Sequence, residues 1–256
     1  MEFFIEGTRS RTNKFISPKY GFMSVCTRVF FNKDIEDISL VPVTLNYTKT
    51  LEGESFPGEL RGEKKVAESL SRTIKGASVL LTNLGTMNVD FCDPISLSEY
   101  TAQKMKSIPN FDPFKNKEDQ QILNKDLAHD IVFELQRNIR MMPTTMVASI
   151  VLLYRKGISE DELRQKVEWL GMIISERGAN FGEDVGLPGQ NAVKLGLEHL
   201  EGYLEQYSGI YIPKVAEGDY KNYIMLTYYR NPINQFFFNE SIVLASMHSF
   251  GLESEW

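Results

Sequence analysis

The stretch FIEGTRSRT, residues 4–12, sets a carboxylate, a glycine, two guanidinium groups and a hydroxyl side by side: Glu6, Gly7, Arg9, Ser10 and Arg11. Guanidinium forks match the oxygen geometry of phosphate, and a serine hydroxyl can donate to a phosphate oxygen. A glycine lets the backbone approach such a ligand closely. Glu6 has the wrong charge to hold an anion and suits orienting an arginine or accepting from a substrate hydroxyl. The phosphate loop of nucleotide hydrolases is not met, because Asn13 precedes Lys14 where that loop needs glycine, and Phe15 follows where it needs a hydroxyl. Two arginines after an apolar run also occur in plain solvated turns, with Glu6 as a surface ion-pair partner.

A strand over residues 2–6 is expected to present this loop. Ser17-Pro18 reads as a helix N-cap with proline at the first helical position. Phe22, Cys26, Val29 and Phe30 follow at helical spacing on one face. ISLVPVTLNY (38–47) reads as a strand, residues 66–83 as an amphipathic helix, and NVDFC (88–92) as a short strand before Asp93-Pro94. Strand alternating with helix predicts an α/β fold with a mostly parallel sheet flanked by helices. That domain is placed at residues 1–103.

Residues 104–120 are polar with two prolines and read as a linker. From 121 to 256 the pattern predicts a mainly α domain with a small sheet. Its helices are expected near 121–141, 144–155, 160–177 and 190–206, with a capping box of Ser159 and Glu162 on the third. The fourth carries Val193, Leu197, Leu200 and Leu204 on one face. Strands are expected at 210–215 and 223–229, and 233–247 as strand turning into helix.

Composition excludes several classes. With 42% hydrophobic and 24% charged residues the 256-residue chain is ordinary globular material. A net charge of −6 speaks against a general nucleic-acid binder, which needs a basic surface. The second half has a winged-helix outline, but SEDELRQKVEWLGMIISERG balances acid and base and assigns Trp169 and Leu170 to packing. Cys26 and Cys92 fit no disulfide framework and no zinc spacing, so no metal or cofactor is expected. The apolar stretch from Met146 to Tyr154 falls short of the ~20 residues of a membrane span, so any membrane contact is expected to be peripheral.

The order of FIEGTRSRT, SPKYGFMSV, LVPVTLNY, GELRGEKKVAESL and VDFCDPISL, continued by IVLLYRKGISEDEL and MLTYYRNPINQFFF, resembles the glycerol-3-phosphate and dihydroxyacetone-phosphate acyltransferase family. The likeness runs over nearly the whole chain. It implies phosphate-binding roles for Arg9, Ser10 and Arg11, with Glu6 and Gly7 shaping the pocket and Pro42 positioning a strand. It also implies acyl transfer from acyl-CoA or acyl carrier protein to the sn-1 hydroxyl of glycerol 3-phosphate or dihydroxyacetone phosphate. The expected location is an intracellular membrane surface: mitochondrial outer membrane, peroxisome or endoplasmic reticulum in a eukaryote, the inner membrane in a bacterium. No nucleic-acid partner is implied.

The resemblance further implies a His-x-x-x-x-Asp block ahead of Glu6, its histidine serving as general base. Five residues precede Glu6 here. His129 and His248 are each followed by a glutamate five positions on, and His199 by Leu204, all downstream of the expected place. No catalytic residue is therefore assigned. The expectation is a chain that carries the phosphate-holding half of an acyltransferase site, as part of a longer enzyme or as an inactive binding or interaction module.

Overall fold

The computed structural model describes residues 1–8, 10–50, 85–183, 185, 191–214 and 220–251. The helix expected at 66–83 lies outside them. The chain divides into two compact units. The first comprises Met1–Ser10, Lys14–Leu45 and Val89–Ile139, the second Arg11–Asn13, Asn46–Asn88 and Arg140–Trp256.

In the first unit, helix α1 (Gly21–Phe31) buries Met23, Thr27, Phe30 and Phe31. The expected face was different: Phe22 and Val29 are exposed and Cys26 is half-buried. The start also differs, since the helix opens after Tyr20 without a side-chain cap, and Pro18 is buried ahead of it. Its end is closed by Lys33 in the left-handed region (φ 64°), with Lys33 N–H donating to Phe30 and Asp34 N–H to Val29. That is the Schellman pattern, with lysine where glycine is usual.

Strand β1 (Ser39–Leu40) pairs antiparallel with β4 (Ile95–Ser96). Strand β2 (Val43–Tyr47) pairs with β3 (Met87–Phe91). Cys92 N–H donates to Pro42 and Thr48 N–H to Thr86, so these two also run in opposite directions. Their alternation is inverted: Thr44 is buried while Val43, Leu45, Val89 and Phe91 face solvent.

Helix α2 (Leu97–Ser107) is capped by Ser96, whose hydroxyl accepts the Glu99 N–H at 3.1 Å. Asp37 accepts the Ser98 N–H and the Ser96 hydroxyl, each at 2.8 Å. Helix α3 (Lys117–Asn138) is capped by Asn116 and carries Glu118 and Asp119 in its first turn, which favour the positive end of the helix. The residues expected as a linker thus hold the end of α2 and the start of α3. Leu123, Leu127, Ile131 and Val132 recur along α3 and pack with Ile5, Met23, Phe30 and Leu97 as one core. Fully burying a side chain such as Leu123 or Leu127 contributes about 1.5–3 kcal/mol.

In the second unit all nine residues of α4 (Pro143–Val151) are buried, so the longest apolar stretch is a core helix. It packs with α5 (Glu160–Glu176), α6 (Ala192–Leu200) and α7 (Lys221–Arg230). Strand β5 (Arg140–Met141) pairs in parallel with β7 (Asn180–Phe181). Strands β6 (Ile158–Ser159), β9 (Ile210–Pro213) and β8 (Leu204–Tyr207) form an antiparallel sheet in that order. The N-cap half of the expected capping box is formed, the Ser159 hydroxyl accepting the Glu162 N–H at 3.3 Å. Leu170 is buried as expected, but Trp169 is half exposed.

The mixed α/β class and the largely helical C-terminal part hold. The strand directions differ from the expected parallel sheet: among the described residues the strands form small sheets, and β5–β7 is the parallel pair. Leu204 begins β8 instead of ending a helix. Residues 223–229 belong to α7, not to a strand, because Met225, Leu226 and Tyr229 are buried at helical spacing against α4. A 3₁₀ segment (Asn231–Phe237) and α8 (Phe238–Ser249) follow, so 233–247 is helical throughout.

Candidate functional site

The chain ahead of Gly7 is not a strand. Ile5 is buried in the core of the first unit, and its carbonyl accepts the Lys19 N–H at 2.8 Å. The Phe4 carbonyl accepts the Gly7 N–H at 2.9 Å, which closes a turn where the expected strand would have continued. Gly7 sits at φ +67°, and a Cβ there would lie 3.1 Å from Lys19 Cδ. Conformation and space both call for glycine.

Glu6 reaches across the loop: its carboxylate accepts the Ile16 N–H at 2.7 Å. Burial raises its pKa from the ordinary glutamate value, and the hydrogen bond from Ile16 opposes part of that. Ser10 Oγ accepts the Lys14 N–H at 3.1 Å and so tightens the following turn. In the first unit, then, Glu6, Gly7 and Ser10 shape one loop, with Lys19 packed on Gly7.

Arg11, Thr12 and Asn13 belong to the second unit. Two asparagine side chains fasten them to the C-terminal end of α7. Asn13, itself in the left-handed region (φ 57°), donates from Nδ2 to the Tyr228 carbonyl at 3.3 Å. Asn231 is buried and donates from Nδ2 to the Thr12 carbonyl at 2.7 Å. Beside them lies a cavity of about 260 Å³, lined by Arg11, Thr12, Tyr223, Ile224, Thr227, Tyr228 and Asn231. An arginine beside this mostly apolar lining, which includes Ile224 and Tyr228, can receive an anion carried on a small organic body.

Of the sequence-derived residues, Glu6, Gly7 and Ser10 share the loop of the first unit, and Arg11 lines the cavity of the second. Arg9 lies outside the described residues. Pro42 stands between β1 and β2, its carbonyl holding Cys92. His129 Nδ1 is 2.7 Å from the Lys125 carbonyl one helical turn back, a local bond on an exposed face. A larger cavity of about 580 Å³ in the first unit, near Phe30, Lys33, Thr101 and Phe114, includes none of the sequence-derived residues.

Among the described residues no group of three or more His, Cys, Asp or Glu side chains is arranged to hold a metal ion. No described helix is long and apolar enough to cross a membrane. Sequence reasoning missed Tyr223, Thr227, Tyr228 and Asn231 as lining residues. Their signal was present in the TYYRN motif, but an alternating strand reading hid the helical face that carries it.

Comparison with known proteins bears on this site. Residues 57–255 match the family model for the glycerol-3-phosphate acyltransferase C-terminal region. The chain is 28% identical over 262 aligned positions to a dihydroxyacetone phosphate acyltransferase of Homo sapiens, covering 96% of this chain and 38% of that protein. A dihydroxyacetone phosphate acyltransferase of Oryctolagus cuniculus is 32% identical over 175 positions, covering 66% of this chain and 26% of that one. A glycerol-3-phosphate acyltransferase of Pseudomonas syringae pv. tomato is 28% identical over 258 positions, covering 97% of this chain and 30% of its own. The chain therefore spans well under half the length of these relatives. The loop from Glu6 to Arg11 lies ahead of the family match, whereas α7 and Asn231 lie within it.

Proposed function

The chain belongs to the family of the glycerol-3-phosphate acyltransferase C-terminal region, and from that premise we propose that it serves acyl transfer to the sn-1 hydroxyl of glycerol 3-phosphate. In that reaction the hydroxyl oxygen attacks an acyl thioester carbonyl. A C–O bond forms, the C–S bond breaks, and the thiol of coenzyme A or acyl carrier protein leaves with the proton. The share of this chain is the phosphate end of the acceptor. The family resemblance assigns Arg9, Ser10 and Arg11 to it, with Glu6 and Gly7 assigned to shaping the pocket. None of His129, His199 and His248 is assigned as the base. The setting is glycerolipid synthesis in peripheral contact with an intracellular membrane.

The observation that supports this reading is the cavity beside Arg11, whose loop is fastened by two asparagines. A guanidinium held on a fixed backbone binds phosphate with less entropy lost than one on a free loop. A second reading, with dihydroxyacetone phosphate as acceptor in ether-lipid synthesis, is favoured by the 32% identity to the rabbit enzyme of that name.

Calorimetric titration of the 256-residue chain with glycerol 3-phosphate and with dihydroxyacetone phosphate tests both. Binding that Arg11→Ala weakens about tenfold or more is expected, and the tighter ligand names the acceptor. Wild-type protein that binds neither would overturn the reading. Palmitoyl-coenzyme A turnover, measured in parallel, separates an enzyme from a binding module.

A further inference from the structure

Asn231 has an amide whose orientation is determined by its neighbours. Its Oδ1 accepts from Arg230 Nη2 at 3.0 Å and from Asn234 Nδ2 at 3.3 Å. With two donors on the oxygen, the amide nitrogen must be the end that faces the Thr12 carbonyl at 2.7 Å. Asn231 is 5% exposed, so little water competes for these bonds. The same side chain lines the cavity next to Arg11 and Tyr228.

Arg230 adds a second observation. Among the described residues its Nε is buried without a hydrogen-bond partner, and burial pushes its pKa down. A partly desolvated guanidinium is unfavourable unless its N–H groups find acceptors. Its Nη2 is directed at Asn231, which makes orienting that amide its evident use.

We propose that Asn231 is a positioning residue of the phosphate site, with Arg230 orienting its amide. Asn231 pins the Thr12 peptide, and that peptide fixes where the adjacent Arg11 guanidinium stands over the cavity. Asn231 itself need not touch the phosphate. The inference rests on the phosphate-binding role given to Arg11 above, and it extends the site to the end of α7.

The substitution Asn231→Asp separates positioning from folding. A carboxylate accepts from Arg230 and Asn234 at least as well as the amide does, but it has no N–H for Thr12 and sets an oxygen against that carbonyl. Losing that bond lowers the melting temperature as well, so Thr144→Val, which leaves a buried carbonyl unpaired away from the cavity, serves as the comparison of similar stability. Glycerol 3-phosphate affinity is measured for wild type, Arg11→Ala, Asn231→Asp and Thr144→Val, together with the melting temperature of each. The expected result is about tenfold weaker binding for Asn231→Asp, with Thr144→Val binding like wild type despite its own lowered melting temperature.

Arg11→Ala losing affinity while Asn231→Asp binds like wild type would overturn the inference and leave the phosphate reading standing. Thr144→Val losing as much affinity as Asn231→Asp would assign the Asn231 effect to folding and also overturn it. Wild type that fails to bind, or Arg11→Ala that binds equally well, would remove the phosphate reading and the inference with it.

Discussion

The Glu6 carboxylate accepts the Ile16 backbone N–H at 2.7 Å and so braces a loop closed by residues ten positions apart. Removing the acceptor in Glu6→Ala should lower stability by roughly 1 kcal/mol, whereas Glu6→Gln keeps an oxygen in place. The pH dependence follows from the raised pKa. The folded protein holds the proton more tightly than the unfolded chain, so stability is highest below the ordinary glutamate range and declines as pH rises through the folded pKa. Thermal melts from pH 4 to 8 should show this decline in wild type, and Glu6→Gln should lack that component.

Asp37 behaves in the opposite sense. The Ser98 N–H, ahead of the Ser96 hydroxyl, holds its pKa below the ordinary aspartate value. The stability it contributes is present above the unfolded pKa and lost as pH falls through the folded one. Asp37→Asn should therefore melt below wild type at pH 7, and the gap should narrow as the pH drops toward 3. Ser96→Ala, which removes the α2 cap itself, should lower stability by about 1 kcal/mol in denaturant titration.

At Gly196, α6 packs directly on α4. A Cβ there would lie 2.5 Å from Val147 Cγ2 and 2.7 Å from the Pro143 carbonyl oxygen. Valine can shift, but the carbonyl cannot without moving the helix start. Gly196→Ala should cost about 1–3 kcal/mol, read as a lowered urea midpoint.

Thr144 is fully buried, and its hydroxyl donates to the Thr48 carbonyl at 2.8 Å. Thr144→Val fills the same space but leaves that carbonyl unpaired. A loss of about 1–3 kcal/mol is expected in the same titration, and faster amide exchange at Thr48, whose N–H bonds Thr86, would locate the damage.

Elements with a strong local signal were legible in the sequence. The Ser159 N-cap and the long helix before residue 140 rest on neighbouring residues, and the strand read over 38–47 is present but divided at Pro42 into β1 and β2. What failed depended on partners far along the chain. MLTYYR has strand-like composition, yet its helix is stabilised by burial against α4. The strand expected at residues 2–6 is replaced by a turn that the Gly7 N–H closes on the Phe4 carbonyl, with Ile5 drawn into the core and bonded to Lys19. In β2 the period of two was readable, but not that Thr44 would turn inward and its apolar neighbours outward. Of the residues lining the second unit's cavity, Arg11 stood out in a local run. Tyr228 and Asn231 lie more than two hundred positions downstream, beyond the reach of any spacing rule.

That separation sets an order of events during synthesis. Thr12 and Asn231 are 219 positions apart. At roughly 5–20 residues per second, the ribosome needs about ten to forty seconds after making the Thr12 peptide to make its partner. Through that interval Arg11 and its neighbours emerge without their fastening, while α1 and α3 can already meet. A nascent chain stalled before α7 would have a folded first unit but would not yet hold Arg11 in place.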